Sequence, residues 1–398
     1  MVKLITSLYV ITIGWTGVMI IQEWIRPYIL ICTIILLYVI SKIIKKNKIY
    51  YKVFGIRDSL LICFIVYVIA LSFFLPNPKT FNYILAYGFV FTIAYSVTKY
   101  FFAINTNNHL IQKYNYIGVL VVLVYGIFEV IMNNYLNSDL ISIIWQNRTN
   151  GAIAKIGSHS FIRSYGMMPE PGIFGLYLNS LGILAMYYSS QNHNMTRKTI
   201  FYLLFFTNYY FISSAASLFS IVLAIIIVQI LLSKNSKSIL KNIFYLLGFS
   251  VIMFFVISNT NLTIIDKIIK PNVYSIERYD RWVLAVDLIS NMSGFGKGLG
   301  YISSTYGSSL NNWYFMLLVE TGIVGFLMIM IFLFLSIKKG ISNQEMKPYL
   351  LGIFSNIIHF GAISTFFNPF LFIIIAIMDI ELIRTNNTHR KKLQLSQN

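Results

Sequence analysis

The sequence predicts an all-α polytopic membrane protein. It reads as a single integral membrane domain over 1–398, with about 12 transmembrane helices and two long extracytoplasmic loops, 134–170 and 261–311. Three observations carry this. Apolar residues make up 57% of the 398-residue chain and charged residues only 11%. Mean hydropathy is +0.71, and stretches of about 20 mostly apolar residues, the length a helix needs to cross a bilayer, recur from end to end. The 31 Lys and Arg residues divide unevenly between the two sides that those stretches define.

The spans follow in order. The first, 4–22, opens on MVKLITSLYV, with one lysine and no small-residue cleavage site, so it reads as an uncleaved helix and not a signal peptide. Spans 27–44 and 59–75 come next and contain Cys32 and Cys63, which sit in apolar runs and offer neither a disulfide framework nor a thiolate metal site. Spans 81–103 and 114–133 lead into the first long loop. Span 171–190 starts at Pro171, a residue well tolerated in a first helical turn. Residues 200–232 form one apolar stretch interrupted by Ser213, Ser214 and Ser217. Reading it as a hairpin, 200–214 and 215–232, puts Lys234, Lys237 and Lys241 on the same side as Lys45, Lys46, Lys48, Lys52, Arg197 and Lys198. Span 242–260 precedes the second long loop, and 312–335 follows it. The last apolar stretch divides at Phe367-Asn368-Pro369 into 349–365 and 366–383, because asparagine and proline favour a turn.

Twelve spans place both termini in the cytoplasm. Twenty-one of the 31 Lys and Arg residues then face the cytoplasm or its membrane border, the positive-inside pattern. The +18 net charge is therefore a topology signal and not a nucleic-acid footprint. Both long loops fall outside the cell and carry aromatic residues, whereas every cytoplasmic loop is short. Long loops in a compact protein are commonly functional, so the working surface is expected to face outward.

The first loop holds Arg148, Lys155, His159, Arg163 and Glu170. Its end, RSYGMMPEPG, brings a cation and a carboxylate to a membrane edge, where charge is costly and usually kept for function. Glu170 has two compatible readings: a carboxylate at the positive end of the helix that Pro171 begins, or a base at the mouth of the membrane. In the second loop, 276–290 reads as a short helix with Arg278, Arg281, Trp282, Ala285 and Ile289 on one face, and Asp280 and Asp287 opposite. Forked arginine donors beside Trp282 suit a phosphate next to a sugar or lipid. The plainer reading is a Glu277–Arg281 surface ion pair. Gly294, Gly296, Gly298 and Gly300 recur at every second residue, which is not a dinucleotide fingerprint. They suit a tight turn that approaches a ligand or another helix closely. Glu320 and His359 lie within spans and should face the protein interior.

These segments resemble the O-antigen polymerase and ligase superfamily. RSYGMMPEPG is similar to its Arg-x-x-Gly…Glu-Pro signature, and Ser213-Ser214-Ala215-Ala216-Ser217 to its serine-rich hairpin. RYDRW with GFGKGLG resembles its Arg…Trp…Gly-x-Gly segment. NNWYFMLLVETGIVG resembles the start of its next helix, and FFNPF its Asn-Pro turn. The matches run in order from about residue 160 to 370. The first 130 residues match in hydropathy alone.

The resemblance implies a GT-C-like fold and a metal- and cofactor-independent inverting glycosyltransferase whose donor is an oligosaccharide on undecaprenyl diphosphate. It implies Arg163, Arg278 and Arg281 as diphosphate ligands and Glu170 as base or orienting group. Arg148, His159, Tyr279, Trp282, Asn311, Asn312 and Glu320 are the expected substrate-binding residues. The bilayer, a chain-length regulator and a flippase are the implied partners. Asn311 occupies the place of the ligases' basic histidine, and an amide cannot take a proton at neutral pH. That favours the polymerase branch and leaves Glu170, His159 and Asp280 as candidate bases. The rival readings are a ligase and, from another class, a lipid-linked oligosaccharide flippase, which should show pseudo-twofold halves.

Overall fold

The computed structural model describes residues 2–18, 27–46, 54–105, 108–136, 153–156, 159–233, 248, 276–364 and 368–395. Helices α1 (Val2–Thr12), α2 (Pro27–Lys46) and α3 (Ile56–Phe74) lead to α4 (Thr80–Gly88), which passes through a π-helical stretch, Phe89–Val97, into α5 (Thr98–Asn105). The long α6 (Asn108–Tyr135) precedes two short strands, β1 (Ile153–Ile156) and β2 (His159–Ile162). Then come α7 (Pro171–Tyr177), a second π-helical stretch at Leu178–Gly182, α8 (Ile183–Asn192), α9 (Met195–Ile212) and α10 (Ala215–Leu232). After the second loop's α11 (Ile276–Ser290) and α12 (Tyr301–Thr305) come α13 (Trp313–Ile341), α14 (Lys347–Phe360) and α15 (Phe370–Leu395).

Among the described residues, six helices are long and apolar enough to cross a membrane: Pro27–Ile44, Ile56–Phe74, Thr80–Ala103, His109–Tyr135, Ala215–Leu232 and Trp313–Ile341. The chain is thus a helical, multi-pass membrane-embedded protein. The expected span 242–260, apart from Gly248, lies outside the described residues, as do Lys234, Lys237 and Lys241. The helix expected over 4–22 stops at Thr12. Beyond it the backbone turns, and the Gly17 N–H donates to the Met167 carbonyl at 2.8 Å, tying the first connection to the first long loop. The 200–232 stretch breaks at Ser213, whose backbone is left-handed (φ 46°). Ser214 then caps α10 by accepting the Ser217 N–H.

One unanticipated element is the β-hairpin in the first loop. β1 and β2 pair antiparallel, with Ile153 opposite Ile162 and Ile156 opposite His159.

The core is built around α15, in which every residue from Phe370 to Ile380 is buried. A helix apolar on all sides belongs inside a bundle. It packs on α5, on the first π-helical stretch and on α14, while α10 lies along α14 and α3 along α13. Large apolar side chains such as Leu37, Phe73, Phe74, Leu203, Phe219 and Phe334 point outward, as a lipid-facing belt requires.

Charged and polar residues gather at the ends of several helices. At one end, Asp379 of α15 accepts from Arg57 Nη2 at 2.6 Å, Tyr95 Oη at 2.8 Å and Lys339 Nζ at 3.3 Å. Lys99 Nζ, itself 3.3 Å from Tyr95 Oη, donates to Asp58 at 2.5 Å. This buried ionic network joins α3, the first π-helical stretch, α5, α13 and α15. At the other end, the α3–α4 turn holds the second loop: Thr80 Oγ1 donates to the Leu299 carbonyl at 2.9 Å and Asn77 Nδ2 to the Lys297 carbonyl at 3.3 Å.

Candidate functional site

The first loop is moulded onto one stripe of α6. Asn134 brackets Ile162, accepting its N–H at 2.6 Å and donating to its carbonyl at 3.1 Å. Five residues back, Glu129 is fully buried. Its Oε2 accepts the N–H groups of Tyr165 at 3.0 Å and Gly166 at 2.8 Å. Ser164 Oγ donates to the Gly126 carbonyl at 3.2 Å. Gly166 has φ +55°, and a Cβ there would sit 3.0 Å from the Phe174 ring, so glycine suits both the turn and the close approach.

Arg163 is carried between these anchors and turned toward the serine corner. Its Nε donates to the Ile212 carbonyl at 2.7 Å, and the adjacent Ser164 N–H donates to Phe211 at 3.1 Å. Among the described residues, no hydrogen bond engages its two terminal nitrogens. Burial lowers the Arg163 pKa, while Tyr165 and Glu170 act in the opposite sense.

Glu170 is the residue before α7, with extended backbone (φ −145°, ψ 149°) and Pro171 in the first helical turn. Its carbonyl accepts from Ile173 and Phe174, both at 3.1 Å. Its side chain makes no capping hydrogen bond. The position is that of a helix start, but the carboxylate is not consumed by it. Glu170 keeps an exposed surface, yet crowding of its carboxyl by protein raises its pKa above the ordinary 4.5, with Arg163 pulling the other way. No ion pair within 4 Å joins the two, since neither side chain engages the other directly.

In the second loop, α11 turns Ala285 and Leu288 inward and leaves Asp280 and Asp287 exposed, while Trp282, expected on the Ala285 face, is exposed as well. Arg281 is half-buried, and its Nη1 donates to the Ser309 carbonyl at 3.0 Å. Tyr279 is largely exposed, and Trp282 meets Phe315 edge-on at 6.3 Å.

The glycine run docks on a kink in α13. Gly322 has φ 67° and ψ −174° inside the helix. This frees the Val319 and Glu320 carbonyls to accept from Lys297 N–H at 2.8 Å and Gly298 N–H at 3.1 Å, and the Ile323 N–H to reach Gly294 O at 3.0 Å. The close approach is to a helix of the same chain. Glu320 is fully buried, as its place within a span demanded. It accepts the Ile302 N–H at 3.4 Å, while its Oε2 has no hydrogen-bond partner. Asn311 has φ 52° and its Oδ1 accepts from Ser309 Oγ. Asn312 caps α13 by accepting the Phe315 N–H at 3.1 Å, and its own N–H reaches Ser364 at 2.9 Å.

Arg163 and Glu170 thus lie near enough to influence each other's charge without direct contact. Arg281, Tyr279 and Trp282 share α11, and Arg281 and Asn311 both contact Ser309. No hydrogen bond or ion pair links Arg163 or Glu170 to the α11 group among the described residues. Arg148 lies outside the described residues; Arg278 is placed on α11 and His159 on β2 by backbone alone. Among the described residues, no cluster of three His, Cys, Asp or Glu side chains could hold a metal ion.

The sequence reading missed Glu129, Asp58 and Asp379. Each is an ionisable residue inside or at the edge of an apolar run, and that is the signal that could have found them, because such residues seldom survive in a membrane without a partner or a task.

The chain matches no protein-family model and no curated protein sequence. Fold and site together define a multi-pass α-helical membrane protein with an arginine and a carboxylate held at a helix start.

Proposed function

We propose that this chain is a polysaccharide polymerase that makes O-antigen, capsule or another exopolysaccharide. It joins undecaprenyl-diphosphate-linked oligosaccharide repeat units at the outer face of the cytoplasmic membrane, with 12 spans and both termini cytoplasmic. The observation that carries the reading is the Arg163–Glu170 pair. A half-buried guanidinium, anchored through Nε, presents two unengaged nitrogens beside a carboxylate that helix capping does not use.

In an inverting transfer, a sugar hydroxyl of the acceptor repeat attacks the anomeric carbon of the growing chain. The bond from that carbon to the diphosphate oxygen breaks, and the hydroxyl proton passes to a base. Arg163 is suited to the charge that develops on the leaving diphosphate. Glu170, with its raised pKa, is suited to take the proton. Arg278 and Arg281 form the second half of the diphosphate site, with Arg281 held by Ser309. The exposed aromatics of α11 offer faces for sugar or lipid.

The test is the glycan ladder of a cell whose own copy is deleted. Complementation with Arg163→Ala or Glu170→Gln should leave glycan capped by one repeat at normal protein level. Arg163→Lys should rescue poorly, because an ammonium cannot replace a fork. Long chains left on undecaprenyl diphosphate in the deletion strain would instead indicate a ligase. A full ladder in both variants would sink the assignment.

A further inference from the structure

We propose that Glu129, with Asn134, is a positioning residue that sets Arg163 in place from the interior of α6. The inference deepens the proposed function and rests on it only for the ligand that Arg163 meets. Residues 162 to 166 form a short span of backbone with Arg163 near its middle. On one side, Asn134 holds both polar groups of Ile162, at 2.6 and 3.1 Å. On the other, a single carboxylate oxygen of Glu129 gathers two successive amides, Tyr165 and Gly166, at 3.0 and 2.8 Å. Ser164 Oγ reaches back to the same stripe at Gly126. Consecutive amides converging on one anion form a backbone nest, and hydrogen bonds to a charged acceptor are stronger than neutral ones.

The loop cannot slide along α6 without breaking one of these anchors. Among the described residues Arg163 makes no hydrogen bond to α6, and the one it makes runs to Ile212 on α9. Its placement is therefore inherited from its neighbours' backbone. Glu129 touches no part of the substrate in this scheme. It acts through Arg163 alone, as a second layer that fixes a recognition group.

Phenylglyoxal modification of Arg163 in purified full-length protein, read by mass spectrometry of its peptide, tests this directly. Arg281, held by Ser309 away from the α6 stripe, is the internal control. Glu129→Ala should raise the Arg163 rate about tenfold, the factor equivalent to about 1.4 kcal/mol, with Arg281 unchanged. Glu129→Gln keeps an acceptor of the same size without the charge and should fall between the two, and Asn134→Ala should raise the rate as well. An Arg163 rate equal to wild type in folded Glu129→Gln overturns the proposal, and this holds even if Glu129→Ala fails to fold. Inorganic pyrophosphate supplies the second readout. It should protect Arg163 in the wild type and lose that protection in Glu129→Ala. Lack of protection in the wild type counts against the diphosphate reading alone, because the modification rates still decide the role of Glu129.

Discussion

Replacing Asp379 with alanine should destabilise the protein more than any single change at the candidate site. Asp379 is fully buried and is the acceptor for Arg57, Tyr95 and Lys339 at 2.6, 2.8 and 3.3 Å. Removing it leaves the buried Arg57 guanidinium facing other cations, with Asp58 already committed to Lys99. Breaking a buried pair by removing one partner typically costs about 3–5 kcal/mol, because the remaining charge is stranded. Lys339 adds little to that figure, since its side chain is 39% exposed and exposed charges are screened. The cost should fall mainly on Arg57, so Arg57→Met combined with Asp379→Leu should recover most of the loss, as apolar replacements of whole buried pairs often do. Unfolding of wild type, Arg57→Met, Asp379→Leu and the double variant in detergent, titrated with a denaturing surfactant, gives the four corners of the cycle. If the two single changes add in the double variant, the pair is uncoupled and the reasoning fails.

Two further outcomes follow from the site. The Glu170 pKa is raised above its ordinary 4.5, so the folded protein holds that proton to higher pH. The small stabilisation this gives is present below the ordinary value and is lost as pH rises through the folded pKa, while the base form appears over the same rise. Activity should therefore climb with pH through an inflection above 4.5. In Arg163→Gln the carboxyl infrared band should titrate at still higher pH, because the lowering influence is gone, and an unmoved band would show that the two groups do not interact. Gly322→Ala places a side chain where backbone conformation is essentially glycine-only, at a strain of about 1–3 kcal/mol, and against the backbone of Gly294 to Gly296. It should undock the glycine run, seen as faster amide exchange over Lys297 and Gly298; unchanged exchange would show that the kink is not what holds the loop.

How much of this was legible depended on whether the cause was local. Ile276–Ser290 appears as the helix expected over 276–290, because its pattern of apolar and charged residues is self-contained. The break at Ser213–Ser214 and the helix start at Pro171 were legible for the same reason: small polar residues and proline act on their own backbone. The opposed faces of α11, with Asp280 and Asp287 outward, follow from helical spacing alone. The early end of α1 was not legible, because the contact that accompanies it lies elsewhere in the chain. Gly17, five residues beyond the end of α1, meets Met167, which is 150 residues away. In the site, Arg163 and Glu170 stood out as charges at a membrane edge. Glu129 did not, because its meaning comes from the amides of residues 165 and 166, and no spacing within α6 announces them.

The central claim is that the protein itself lengthens a lipid-linked glycan. Purified full-length protein in detergent, supplied with only undecaprenyl-diphosphate-linked repeat units, measures this without a second compartment or a soluble sugar donor. Products of two, three and more repeats on one lipid carrier should appear, with release of free undecaprenyl diphosphate, and none with Glu170→Gln. Repeat units that stay single with folded protein would contradict it.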